Sequence, residues 1–376
     1  MNLICMIGAL ALPCCSLVPK GICRLQQVAH MVVVLACAFA SLACSSYDPT
    51  TRGQRRGGQL YRRMCAVCHG PTGTGYRADQ APAVTHPEFL GSVSNDFLRR
   101  AIAAGRPGTT MSAWSRDQGG PLAPTDVDAL VTFIRAWQRH AVGPLDERPV
   151  AGDASRGGEV YARECARCHG ARGTGGLYVN IGEPGLLSTA SNGFLRHAIR
   201  NGRPGTPMTA FAATLGDAAI EDVLAFMRTW QPQPSRPTRP PASAPQPLTL
   251  GPVPLNPQGP EPVGFKLHPA TTPADVIKAQ LDRHARMALL DARAPSDYLN
   301  EHIAGAVSVP FYDPDPYFSA LPKNAWLVCY CACPHAESGN LAAKLTAAGF
   351  PKVTVLEEGI GFWRSRKYET HTGPQP

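Results

Sequence analysis

Two runs of the form Cys-x-x-Cys-His stand one hundred residues apart, Cys65-Ala66-Val67-Cys68-His69 and Cys165-Ala166-Arg167-Cys168-His169. Two thiols three residues apart on one helical turn can add to the two vinyl groups of a haem, and the adjacent histidine then reaches the iron. A zinc site would need further cysteine or histidine ligands close by, and a redox dithiol has no use for the histidine. A methionine follows each run, Met111 at 46 residues after Cys65 and Met208 at 43 after Cys165. Each lies in a Gly-Arg-Pro-Gly-Thr-x-Met loop, where Pro and Gly fix the backbone so that a thioether can be held against iron. Methionine is ordinarily core filler, but only five remain beyond residue 44, and two of them occupy equivalent places. His197 is a rival iron ligand, although its counterpart in the first copy is Arg100, which cannot ligate. The expected cofactors are two covalently bound haem c groups, on Cys65, Cys68, Cys165 and Cys168, with His69, Met111, His169 and Met208 as iron ligands.

These groups belong to an internal repeat. Arg56-Gly57-Gly58, Tyr61, Arg63 and Gly70 of the first copy recur as Arg156-Gly157-Gly158, Tyr161, Arg163 and Gly170. Phe97-Leu98-Arg99 recurs as Phe194-Leu195-Arg196. Each copy closes on an apolar stripe at helical spacing, Val127, Leu130, Phe133, Ile134 and Trp137, then Ile220, Val223, Leu224, Phe226 and Trp230. With signature, methionine and terminal helix in that order, residues 51–140 and 151–231 resemble class I cytochromes c. The resemblance implies two small all-α domains with His/Met haems. Six-coordinate iron leaves no open position for substrate and carries electrons.

Residues 45–231 carry 21 arginines, no lysine and 16 acids. Arginine binds carboxylates bidentately, so this excess suits haem propionates better than a dedicated partner patch. The whole chain, 376 residues at net +8 with 44% hydrophobic residues, has too mild and scattered a charge for a nucleic-acid binder and enough apolar content for packed cores.

A third group of reactive residues lies near the C-terminus, in Cys329-Tyr330-Cys331-Ala332-Cys333-Pro334-His335. Around it the pattern is apolar runs alternating with a helical stretch: Met287–Asp291, Ala306–Val309, Trp326–Tyr330, then Leu341–Ala348, then Val353–Leu356. Such alternation predicts an α/β domain with a parallel sheet over residues 263–370. Leu290-Asp291-Ala292-Arg293, His302-Ile303-Ala304-Gly305-Ala306-Val307, Val328-Cys329-Tyr330-Cys331 and Leu356-Glu357-Glu358-Gly359 resemble the rhodanese family. The resemblance implies five parallel strands and a reactive cysteine in a loop between strand and helix. Inward N–H groups and a helix N-terminus in such a loop lower a thiol pKa and hold an anion. Cys331 takes that place by the strand match, and Cys333 is the alternative nucleophile. The loop departs from the family by lacking its arginine, with Glu337 near that position. A carboxylate there disfavours thiosulfate or phosphate. Pro334 also removes one N–H from the cradle. Cys329 reads as a buried strand residue, and Asp291 and Arg293 as groups that position the loop.

Residues 1–44 hold Lys20 and Arg24, no acid, then an apolar run ending Leu42-Ala43-Cys44. This reads as an export signal of the lipoprotein type, with Cys44 lipidated. The run of about 13 residues is short of the roughly 20 needed to span a bilayer. Residues 232–262 hold 12 prolines and read as an extended linker. The expectation is an electron carrier on the periplasmic side of a bacterial envelope, lipid-anchored, with a sulfur-handling domain. Its partners would be envelope redox proteins and a sulfane-sulfur donor, with no nucleic acid. Two alternatives stand: a sulfur-oxidising enzyme whose haems take electrons from a loop cysteine, and an inactive rhodanese-like domain that docks a partner.

Overall fold

The computed structural model describes residues 49–78, 80–231, 252–332 and 335–376. The segment expected to direct export, with Cys44, most of the proline linker, and Cys333 with Pro334 lie outside them. Among the described residues no helix is long and apolar enough to cross a membrane.

The first repeat contains α1 (Pro49–Leu60), which passes through one π-helical turn (Tyr61–Cys65) into α2 (Ala66–His69). Then come α3 (Pro87–Ser92), α4 (Asn95–Ala104) and α5 (Pro124–Arg135). The second contains α6 (Ala154–Glu164), α7 (Ala166–His169), α8 (Pro184–Thr189), α9 (Asn192–Asn201) and α10 (Ala212–Arg228). Local sequence explains these boundaries twice over. Ser94 and Ser191 cap α4 and α9, accepting from the backbone N–H of Phe97 and Phe194 at 3.0 and 3.1 Å. Gly105 and Gly202 end those helices at φ 64° and 61°. A Cβ at either would lie 2.4–2.5 Å from the carbonyl oxygen of Met111 or Met208, so the methionine loop can fold back only over glycine. The predicted closing stripes face inward: Leu130 and Leu224 are fully buried. The α10 stripe follows a break at Gly216 (φ 70°), so its regular part begins one residue later.

Helix crossing is set by glycine as well. A Cβ at Gly57 would sit 2.0 Å from Ala129 O, and one at Gly157 would sit 1.9 Å from Asp222 O. Backbone of the first helix thereby meets backbone of the last in each repeat. Tyr61, Phe133 and Trp137 form one aromatic cluster, and Tyr161, Phe226 and Trp230 its copy, with Tyr–Trp centroids 5.0 Å apart in both.

The C-terminal part runs β1 (Thr271–Thr272), α11 (Ala274–Asp282), β2 (Met287–Asp291), α12 (Pro295–Asn300), β3 (His302–Ile303), β4 (Ala306–Ser308), β5 (Trp326–Tyr330), α13 (Ala336–Ala347), β6 (Val353–Leu356), α14 (Gly359–Ser365) and β7 (Thr370–His371). Five strands form one parallel sheet in the order β1-β6-β5-β2-β4. The four longer runs read from sequence are four of its strands. The two-residue β1 carries no apolar run that could have announced it. β5 is central and covered on both faces, which is why Leu327, Val328, Cys329 and Tyr330 are all buried.

The tether is shorter than its prolines suggest. Asn256 Nδ2 donates to His284 O, Pro260 O accepts from Arg286 N, and Glu261 pairs with Arg286 and Lys352. Residues 256–261, the end of the stretch read as an extended linker, are therefore bound to the sheet domain. Their prolines keep them extended, and an extended chain with a carboxylate can lie along a sheet margin.

Candidate functional site

In both repeats the histidine is oriented by the backbone. His69 Nδ1 donates to Pro82 O at 2.9 Å, and His169 Nδ1 donates to Val179 O at 3.1 Å. A proton held on Nδ1 leaves the Nε2 lone pair for a metal. Burial lowers the pKa of both rings, which keeps them neutral and able to ligate. Tyr61 and Tyr161 donate to the carbonyls of Gly70 and Gly170 at 2.9 and 3.0 Å, tying each short Cys-containing helix to the preceding one. The methionine loops repeat as closely. Arg106 N and Arg203 N donate to the carbonyls of Met111 and Met208, while Met111 N and Met208 N donate to the Thr109 and Thr206 hydroxyls.

These groups share a cavity of about 1470 Å³, bordered by both Cys-x-x-Cys-His runs and both methionines. Its apolar lining, its four thiols, its two oriented imidazoles and its two thioethers fit haem c. Arg106 and Arg203 also line it, with burial lowering both pKa values. A buried guanidinium is stabilised by a carboxylate, and haem propionates supply that charge. Bound there, haem would supply one-electron exchange at iron.

The two crevices face each other. Phe97 and Phe194, equivalent residues of the repeat, meet with ring centroids 5.5 Å apart. Such self-pairing is the mark of a two-fold-like contact. Gln80 Nε2 donates to Gly176 O, and Arg106 Nη1 donates to Gly185 O. His197 is placed in this contact, with Nε2 donating to Glu88 Oε2 at 2.7 Å and Nδ1 accepting from Asn201. Its ring nitrogens are thus engaged away from the ligand positions. The hydrogen bond from His197 is the largest influence holding Glu88 below its ordinary pKa.

In the sheet domain, Cys331 follows the end of β5 and is buried. Its Sγ lies 3.2 Å from Ser338 Oγ on α13, and its carbonyl accepts from Ile360 N. His335 caps α13 in the left-handed region, φ 62°. Asp291 and Arg293 form a buried pair: Arg293 Nη2 donates to Asp291 Oδ2 at 2.6 Å and Nε to Oδ1 at 2.9 Å, and the Tyr330 hydroxyl donates to Oδ2. Burial opposes the charge on Arg293, and the adjoining carboxylate outweighs it and raises the pKa. Glu337 is 5% exposed. Burial, then the neighbouring Cys331 and Asp297, push its carboxyl well above the usual range. A protonated carboxyl where rhodaneses keep an arginine gives Cys331 no cation to stabilise its thiolate.

Stability should follow that proton. As pH rises through the ordinary carboxyl range, the unfolded chain releases it and the folded chain retains it, so stability falls with pH until the raised folded pKa is passed. Glu337→Gln is expected to raise the melting temperature of the C-terminal domain at pH 8 and leave it unchanged at pH 4. One kcal/mol in a domain of this size moves Tm by roughly 4–8 °C. An equal shift at both pH values would rule out the carboxyl as its cause.

The sheet domain also lies against the first repeat. Ser112 Oγ, one residue past Met111, donates to Asp297 Oδ2 at 2.6 Å, and Ser296 Oγ donates to Ala113 O at 2.6 Å. Arg63 donates to Tyr312 O and pairs with Asp313, and Trp114 packs against Tyr312. Helix α13 touches α2, the helix of the first Cys-x-x-Cys-His run. Ala332, Glu337, Arg293 and Asp297 line the same cavity as the two repeats. Sequence reasoning missed Ser112, Ser296 and Asp297, because a serine or aspartate on a loop carries no sign of its partner. The carbonyls of Pro82 and Val179 were equally invisible, since every residue has one.

Two family profiles match the chain. One, described as cytochrome c oxidase, cbb3-type, subunit III, covers residues 52–134 and 152–227, and the other, described as a rhodanese-like domain, covers 273–366. A cbb3-type cytochrome c oxidase subunit CcoP from Azospirillum sp. (strain B510) is 29% identical over 190 residues, which is 46% of this chain. This chain spans 60% of that relative's length. A cbb3-type cytochrome c oxidase subunit FixP from Bradyrhizobium sp. (strain ORS 278) is 26% identical, covering 52% of this chain and 67% of its own. Among solved structures, the rhodanese-like domain of the Alr3790 protein from Anabaena sp. is 29% identical over 27% of this chain and 78% of that one, at a TM-score of 0.26.

Proposed function

We propose that this chain, in which cytochrome c domains precede a rhodanese-like domain, is a two-haem electron carrier of the cell envelope. One observation carries the reading. Two cysteine pairs, two backbone-oriented histidines and two methionine loops border a single cavity of about 1470 Å³. Haem attaches at Cys65 and Cys68 and at Cys165 and Cys168, with His69 and Met111, then His169 and Met208, as axial ligands. The chain's own groups do the remaining work. Pro82 O and Val179 O hold the imidazole protons, the apolar lining excludes water, and Arg106 and Arg203 offset propionate charge. Facing crevices favour exchange between the two sites. Export with lipidation at Cys44 would put the carrier at a membrane.

The test is the haem count. Holoprotein from a host that matures c-type cytochromes is expected to show two haems per chain by pyridine haemochrome and intact mass, and two one-electron steps in a potentiometric titration. A count of one or none would sink the reading.

A second reading has its own observation. Ala332 and Glu337, from the segment around Cys331, line the cavity that the haem sites share. This supports sulfur oxidation, with Cys331 or Cys333 holding the sulfur and the haems accepting electrons. Polysulfide added to oxidised holoprotein should then reduce the haems in wild type and not in Cys331→Ser or Cys333→Ser. Equal behaviour of all three leaves a carrier whose rhodanese-like domain handles no sulfur of that kind.

A further inference from the structure

The repeat offers an internal comparison. Corresponding faces of the two cytochrome units are built from equivalent residues, and the rhodanese-like domain covers only one of them. On the first unit, Arg63, Ser112, Ala113 and Trp114 all touch that domain, and α13 lies on α2. Ser112 and Trp114 are buried there, Ala113 is half-buried and Arg63 stays exposed, whereas their counterparts Thr209, Ala210 and Arg163 on the second unit are all exposed and Phe211 is half-buried. The residues have diverged accordingly. Buried Met64 and half-buried Val67 become Glu164 and Arg167, both exposed. A permanently covered face is apolar, while a face that binds and releases a partner must remain soluble alone and is more polar.

The covered face also indicates what the open one recognises. Arg63 pairs with the Asp313 carboxylate of the covering domain. Its equivalent Arg163 pairs with its own neighbour, Glu164, at 2.8 Å, and its side chain is 62% exposed against 48% for Arg63. Arg167 adds a second exposed guanidinium within the Cys-x-x-Cys-His run itself.

We propose that the face formed by Arg163, Arg167, Thr209 and Ala210 is the docking surface for an external redox protein that presents carboxylates. The equivalent face of the first unit is closed to such a protein by the chain's own C-terminal domain. The proposal rests on the electron-carrier reading. It makes the two haem sites unequal: the second is the port, and the first is the interior site.

The experiment is stopped-flow reduction of oxidised holoprotein by reduced flavodoxin, used as a small acidic one-electron donor, at low and high ionic strength. Arg163→Glu with Arg167→Glu is expected to slow the second-order rate about tenfold or more at low salt, with the difference closing at high salt. Arg99→Glu with Arg100→Glu, the same charge change on exposed positions of α4, is expected to change it less than twofold. If Arg167→Glu impairs haem attachment, Arg163→Glu with Ala210→Glu probes the same face outside the attachment run. Equal slowing by both pairs, or by neither, overturns the proposal. So does a dimer in sedimentation that the face variants dissolve, since the face would then belong to a second copy. Dithionite separates this from the underlying reading: failure to reduce two haems in wild type counts against the carrier, whatever flavodoxin does.

Discussion

Met111→Ala is expected to lower the reduction potential of one haem by about 0.1 V or more, part of the roughly 0.8 V range that axial ligands span. Met208→Ala should do the same to the other. A thioether ligand favours the ferrous state, and its loss removes that preference. The two variants should then differ in a second respect. The Met111 loop is held from outside by Ser112 to Asp297 and by Ser296 to Ala113. The Met208 loop has exposed residues on both sides, Thr206 and Pro207 before it and Thr209 and Ala210 after it. The first loop should keep its shape without the sulfur, and the second should loosen, measurable as faster proteolysis at 204–210 in Met208→Ala alone. Potentials unmoved in both variants would show that neither methionine binds iron.

Arg293→Ala should unfold or nearly unfold the rhodanese-like domain. Asp291 has no exposed surface, and two of the three groups that satisfy its carboxylate come from Arg293, the side chain and its own N–H. Removing the guanidinium leaves a buried carboxylate with the Tyr330 hydroxyl and the backbone, a change that costs about 3–5 kcal/mol. Domains of this kind hold roughly 5–15 kcal/mol in all. The loss should also propagate, since α12 starts two residues later and carries Ser296 and Asp297 to the Met111 loop. Urea unfolding, followed by tryptophan fluorescence for Trp326 and Trp363 and by haem absorbance for the cytochrome units, separates the two effects. Arg293→Lys keeps the charge and loses the fork, so it should recover part of the stability. A loss below about 1 kcal/mol in Arg293→Ala would mean that Asp291 finds another partner.

The residues expected to hold haem were legible because their pattern is local. A thiol pair with an adjacent histidine needs one helical turn, and the repeat states it twice. The glycines at 57, 105, 157 and 202 were legible as repeated positions, although what they make room for was not. The α/β pattern of the C-terminal part was legible through its apolar runs, and the two-residue β1 was not, because its strand character comes wholly from pairing with β6. The proline segment was legible as extended chain, but the attachment of its end was not, since nothing in its composition shows that Glu261 finds Arg286 and Lys352.

Residue type and short spacing alone carried the expectation of haem c, the order of the domains and the unusual acid near Cys331. Packing alone brings both Cys-x-x-Cys-His crevices onto one cavity, buries Glu337 beside Cys331, and covers one cytochrome face while leaving most of its copy open. The reason is physical. Burial, the pKa of Glu337 and the partner of Arg63 depend on groups up to about 250 residues away along the chain, and long-range proximity leaves no periodicity or spacing in the sequence to read.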